Sequence, residues 1–211
     1  PSSLPVTPSW TAAGVPGSSD DFGFSASTAG DVNGDGFSDL VVGAKTHGTG
    51  TGRAYFFEGS STGLLSSPTW TLDGEASGGY FGYSVATAGD INGDGYSDVI
   101  IGAPWADGDF GKTYLYLGGH DGPSTTASWT TTGPVASNEF GLALFTAGDV
   151  NGDGYSEVII GAPEYAGGAV YVYMGSASGP APATSWSVTG ETTNSYYGYS
   201  LASAGEVNGD G

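Results

Sequence analysis

The sequence predicts an all-β chain assembled from repeated four-stranded antiparallel units, the blades of a β-propeller. Three observations lead there. The segment GDVNGDGFSD at Gly30–Asp39 returns at Gly89–Asp98, at Gly148–Glu157 and, shortened, at Gly205–Gly211, placing Asp31, Asp90 and Asp149 59 residues apart and Glu206 57 further on. Between the copies lie short runs of β-branched and aromatic residues separated by glycine-rich turns. Nowhere do apolar residues recur at helical spacing over ten or more positions. Four short strands repeated at a fixed period are the pattern of radial blades. A parallel β-helix repeats at shorter periods, and its GGxGxD nonapeptide does not occur here.

Each unit reads the same way. The first strand follows an aromatic-glycine pair, as in YSVATAG at Tyr83–Gly89, and runs into the acidic segment. The second is an unbroken apolar run, Leu40–Ala44, Val99–Ala103 and Val158–Ala162, which suits a strand covered on both faces. The third alternates, from Arg53, Lys112 and Ala169. The fourth carries Trp10, Trp70, Trp129 or Trp186. The expected organisation is one region over residues 1–211. Its units span about 20–75, 79–134 and 138–191, with a partial unit at 195–211 and residues 1–14 forming the outer strand of a closing blade. The tryptophans and the third-strand tyrosines are expected to pack between blades.

Composition narrows the function. The 40 glycines come without a triplet period and with 13 Tyr, 9 Phe and 5 Trp, which excludes collagen and argues against disorder. Three basic residues against 22 acidic ones give a formal charge of -19, which repels nucleic acid and anionic membrane surfaces. Without cysteine there is neither a disulfide framework nor a zinc-thiolate site. No apolar run is long enough for a membrane helix, and Pro1–Trp10 has no signal-peptide pattern, so a mature soluble domain or an excised piece of one is expected.

Eleven of the 22 acidic residues sit inside the four acidic segments. In the first, Asp31, Asn33 and Asp35 occupy positions 1, 3 and 5, the Phe37 carbonyl falls at position 7 and Asp39 at position 9. The second supplies Asp90, Asn92, Asp94, the Tyr96 carbonyl and Asp98; the third, Asp149, Asn151, Asp153, the Tyr155 carbonyl and Glu157. Three carboxylates and an amide on a short loop form an all-oxygen donor set, suited to calcium more than to magnesium. Gly36, Gly95 and Gly154 at position 6 are expected in the left-handed conformation. An EF-hand needs a glutamate at position 12, where this chain has Val42, Ile101 and Ile160, so closure falls to the acid at position 9. Three bound calcium ions are expected. The fourth copy, with Glu206, Asn208 and Asp210, lacks positions 7 and 9 and forms an incomplete site.

Phe81-Gly82, the Asp90–Asp98 loop and Gly102-Ala103-Pro104 together resemble the FG-GAP repeat of the integrin alpha-subunit propeller and its bacterial relatives. The other copies are Phe22-Gly23 with Gly43-Ala44-Lys45, and Phe140-Gly141 with Gly161-Ala162-Pro163. The resemblance implies a propeller, seven-bladed in its best-known members, with calcium in the loops joining first and second strands. Lys45 departs from the pattern, standing where the family has proline.

Signals for catalysis are sparse. His47 and His120 lie in glycine-rich turns and are read as solvated, and Asp20-Asp21 and Asp107/Asp109 as exposed turns. No nucleophile elbow or phosphate-cradling motif occurs. Trp105, Phe110 and Tyr165 fall off the repeat and are candidates for an aromatic sugar-binding surface. The expectation is a non-enzymatic, calcium-stabilised module, secreted or at the cell surface, that binds an unidentified protein or glycan ligand in adhesion or recognition. Two alternatives accompany it: a homo-oligomer whose copies complete the propeller ring, and a non-catalytic part of a secreted carbohydrate- or lipid-active enzyme.

Overall fold

The computed structural model describes residues 8–14, 19–164 and 166–203. Its first sheet contains β1 (Phe22–Gly30), β2 (Asp39–Ala44), β3 (Arg53–Phe57) and β4 (Trp70–Asp73). The second contains β5 (Ser84–Gly89), β6 (Asp98–Ala103), β7 (Lys112–Tyr116) and β8 (Trp129–Thr132). The third contains β9 (Ala143–Gly148), β10 (Glu157–Ala162), β11 (Ala169–Tyr173) and β12 (Trp186–Thr189). In every sheet the strands pair antiparallel in sequence order, and β1, β5 and β9 lie side by side at the sheets' inner edges. These are three neighbouring propeller blades, four strands each, as the repeats predict. Helical residues among those described are confined to single turns at His47–Gly50 and Ala106–Asp109.

Strand alternation explains how the blades stack. In β6 and β7, Val99, Ile101, Tyr114 and Tyr116 face the first sheet, while Ile100 and Leu115 face the third. A middle blade is therefore apolar on both faces, as the unbroken runs of the second strands require. Each large side chain buried there contributes on the order of 1.5–3 kcal/mol. The fourth-strand tryptophans act across the seams: Trp70 meets Tyr116 edge-on at 5.6 Å and Trp129 meets Tyr173 at 5.0 Å. Trp10 stands in the same relation to Phe57, at 5.3 Å, and its indole N–H donates to the Leu65 carbonyl. Residues 8–14 form no strand hydrogen bonds; residues 1–7 lie outside the described region.

The aromatic-glycine pair and the Gly-Ala pair clasp one another between units. Gly82 N–H donates to the Gly102 carbonyl of its own blade, and its carbonyl accepts from Ser25 Oγ of the blade before. A Cβ on Gly43 would lie 1.9 Å from that carbonyl, so no larger residue fits there. Gly141 repeats the arrangement with Gly161 and Ser84. Phe81 and Phe140, almost fully buried, anchor the clasps against Tyr114 and Tyr171.

Candidate metal centre

The acidic segments are tight loops between the first and second strands of each blade, at the opposite end of the strands from the clasps. Each loop is entered through a Thr-Ala-Gly step at which the strand register shifts. In the first two loops the Gly30 and Gly89 N–H groups donate to the Thr28 and Thr87 hydroxyls, and Thr146 serves Gly148 the same way. The chain then turns around its first aspartate. In the second loop Asp90 Oδ1 accepts from the N–H groups of Gly93 and Asp94, and Oδ2 from Gly95; the third loop does the same with Asp149. In the first, Asp31 accepts from Asp35 and Gly36. The position-6 glycines have φ near +90°, left-handed as expected. Hydrogen bonds, above all from the Gly154 N–H, hold the Asp149 carboxyl below its ordinary range.

Position 9 behaves differently. Asp39, Asp98 and Glu157 are all buried, at 2%, 0% and 0% exposure. Asp39 accepts the Val32 and Gly59 N–H groups at 2.9 and 2.8 Å, and Asp98 accepts those of Ile91 and Gly118, both at 2.9 Å. Glu157 Oε2 takes the Val150 N–H at 2.7 Å, but its buried Oε1 has no well-formed hydrogen bond, the Gly175 N–H acting on the carboxyl only from a poorer geometry. Burial raises all three carboxyls, with the neighbouring loop aspartates adding to it, and Asp98 is pushed up to about 7.

In the third loop Asp149, Asp153 and Glu157 bring carboxylate oxygens within 4.8 Å of one another, the one such three-carboxylate group among the described residues. A hard divalent cation fits there: it would neutralise converging charges and give Glu157 Oε1 the close partner it lacks. In the first two loops the same ligand types stand in the same order, with Asn33 and Asn92 amides donating to Asp35 and Asp94. Glu206, Asn208 and Asp210 lie outside the described residues.

Two sets of residues escaped the sequence reading. Gly59 and Gly118 lie just past the third strands, and their N–H groups are the far donors to Asp39 and Asp98. A Cβ on either would fall 2.4 or 2.3 Å from the Ser38 or Ser97 carbonyl. The recurring glycine that closes RAYFFEG, KTYLYLG and AVYVYMG was the signal. His47 and Asp20 are the second set. They are not a solvated turn: His47 Nδ1 lies 2.9 Å from Asp20 Oδ2, and Asp20 is only 8% exposed. Their contact bridges 27 residues and has no short-range pattern. Lys45, in the proline position, pairs with Asp21 at 3.0 Å and sits 4.4 Å over the Phe24 ring. His120, Asp107 and Asp109 are exposed. Trp105 packs edge-on against Tyr80 and Tyr83, Phe110 is 37% exposed, and Tyr165 lies outside the described residues.

A family model described as the FG-GAP repeat matches residues 22–57, 81–116 and 140–173, each running from an aromatic-glycine pair to the end of a third strand. The chain belongs to the FG-GAP repeat family. Curated relatives include integrin alpha-PS2 of Drosophila melanogaster, 39% identical over 167 residues that cover 72% of this chain and 11% of that one. Integrin alpha-V of Gallus gallus is 34% identical over 198 residues, covering 86% of this chain and 18% of that one. The FG-GAP chain thus spans a small part of these relatives' length. Among solved structures it is similar to the exotype rhamnogalacturonan lyase YesX, with TM-score 0.49 and 15% identity, covering 88% of this chain and 37% of that one.

Proposed function

We propose that this chain is a calcium-binding FG-GAP propeller module for extracellular adhesion or ligand recognition, with calcium in a structural role. The observation that carries the reading is the third loop, where three carboxylates converge and the buried Glu157 Oε1 has no well-formed hydrogen bond. A buried carboxylate oxygen so placed costs free energy that a cation would remove. The three sites are Asp31, Asn33, Asp35, Phe37 and Asp39; Asp90, Asn92, Asp94, Tyr96 and Asp98; and Asp149, Asn151, Asp153, Tyr155 and Glu157, with Phe37, Tyr96 and Tyr155 contributing carbonyls. The protein or glycan ligand is bound on the rigid frame that these ions hold, and the module performs no catalysis. Integrin alpha relatives support the adhesion reading. Calcium at a hundredfold excess over Kd stabilises the fold by about 2.7 kcal/mol per site. Thermal unfolding with excess calcium and with chelator tests it: a rise in midpoint with calcium is expected, and coincident curves would refute the reading.

A homo-oligomer that extends the propeller is favoured by a separate observation. Trp186 and Tyr197 are 53% and 45% exposed, whereas Phe81 and Phe140, equivalent to Tyr197, are sealed between two blades. A first blade from a second copy would meet that face through Tyr55 and Phe57 once Trp10 and Phe22, which cover them, are displaced. Sedimentation should then show a mass above the monomer that rises with concentration; a monomer at every concentration rules the oligomer out.

A further inference from the structure

The geometry points to calcium loops wired in series, so that filling one site prepares the loop of its neighbour. This rests on the calcium reading above. Loops one and two are joined by two backbone routes. In the first, the Ser97 N–H donates to the Asp31 carbonyl at 2.9 Å. That N–H shares a peptide group with the Tyr96 carbonyl, the position-7 donor of site two. A cation drawing on the oxygen of an amide makes its N–H a stronger donor. Site two therefore grips the residue that opens site one.

The second route joins the position-9 carboxylates. Gly118 N–H donates to Asp98 Oδ1, the adjacent Gly119 N–H donates to the Val32 carbonyl at 2.9 Å, and Val32 N–H donates to Asp39 Oδ2. The Tyr96 ring also lies against Gly34, where a Cβ would come within 2.7 Å of it. Between loops two and three the first route recurs, and the second recurs without a well-formed hydrogen bond from Gly175 to Glu157. Ser156 N–H donates to the Asp90 carbonyl at 2.9 Å and Ser176 N–H to the Ile91 carbonyl at 3.1 Å. Ile91 N–H holds Asp98 Oδ2, and the Tyr155 ring covers Gly93. Among the described residues no such route joins loops one and three. Adjacent sites are thus coupled and the outer two are independent, and the coupling is reciprocal because it is a free energy between sites.

Calcium titration of the full chain by isothermal calorimetry tests this with two variants, each retaining two sites. Asp149→Asn with Asp153→Asn leaves the adjacent pair, and Asp90→Asn with Asp94→Asn leaves the outer pair. In the first the second ion should bind about fivefold or more tightly than the first, after statistical correction. In the second the two ions should show no such gain. Equal behaviour of the two variants overturns the coupling while leaving the calcium reading intact; no heat of binding in the unmodified chain overturns both. Should either variant lose its fold by circular dichroism, the unmodified chain decides: successive constants above the statistical series support the coupling, and constants on that series overturn it.

Discussion

The second and third loops share a frame and differ at two positions: Val150 stands where the second has Ile91, and Glu157 adds one methylene to Asp98 at position 9. Asp98 has both oxygens satisfied by backbone N–H groups from two different strands' ends, so it is part of the blade whether or not a metal is bound. Glu157 reaches further: its Oε2 keeps the Val150 N–H, its Oε1 has no well-formed hydrogen bond, and one of its oxygens comes within 4.8 Å of those of Asp149 and Asp153. The short acid is committed first to the fold and the long one to the ion. One position can thus divide its work differently between framework and ligand in successive repeats.

Removing each acid should sharpen that contrast. Asp98→Ala orphans two buried N–H groups, at about 1–3 kcal/mol each. Urea unfolding in chelator should therefore show a loss of about 2–6 kcal/mol. An unchanged midpoint would mean that Asp98 serves only a metal. Glu157→Gln should behave oppositely. In chelator its stability stays within about 1 kcal/mol of the parent, because the Val150 N–H keeps an acceptor and an unpaired charge disappears. The calcium-dependent gain then falls by about 2.7 kcal/mol under hundredfold excess. Retention of the full gain would assign the third loop no ion.

The smallest effect is that of pH in chelator. The Asp98 carboxyl, at about 7 in the fold, lies above its ordinary range, so its contribution is full below that range and is lost as pH rises through about 7. The metal-free chain should gain stability on going from pH 8 to pH 5.5, and Asp98→Ala should flatten the curve. A slope unchanged by the substitution would place the titration elsewhere on this acidic surface.

Much of this was legible in the sequence. Period 59 located every blade, the unbroken runs gave the doubly covered second strands, and alternate oxygen side chains gave the loops. What stayed hidden was contributed by groups that have no letter. Val32, Ile91, Gly59 and Gly118 act through backbone N–H, and Gly43 acts through the absence of a Cβ. His47 was misread because its partner, Asp20, reaches it only after the chain has turned through the first loop. The convergence of three carboxylates in the third loop alone depends on side-chain reach that the shared pattern of aspartates conceals.

The clasp between blades also acts as a ruler for chain length. From Phe22 to Gly43, from Phe81 to Gly102 and from Phe140 to Gly161 the distance is 21 residues each time, whereas from the Gly-Ala pair to the next aromatic it is 38, 38 and then 36. An inserted residue on the first arc would shift the aromatic-glycine pair off a neighbour that has no room for a Cβ. On the second arc, outside the third and fourth strands, it would lengthen a turn. New recognition surfaces can therefore be grafted into the turns of the longer arc, away from Gly59 and Gly118, without retuning the metal loop.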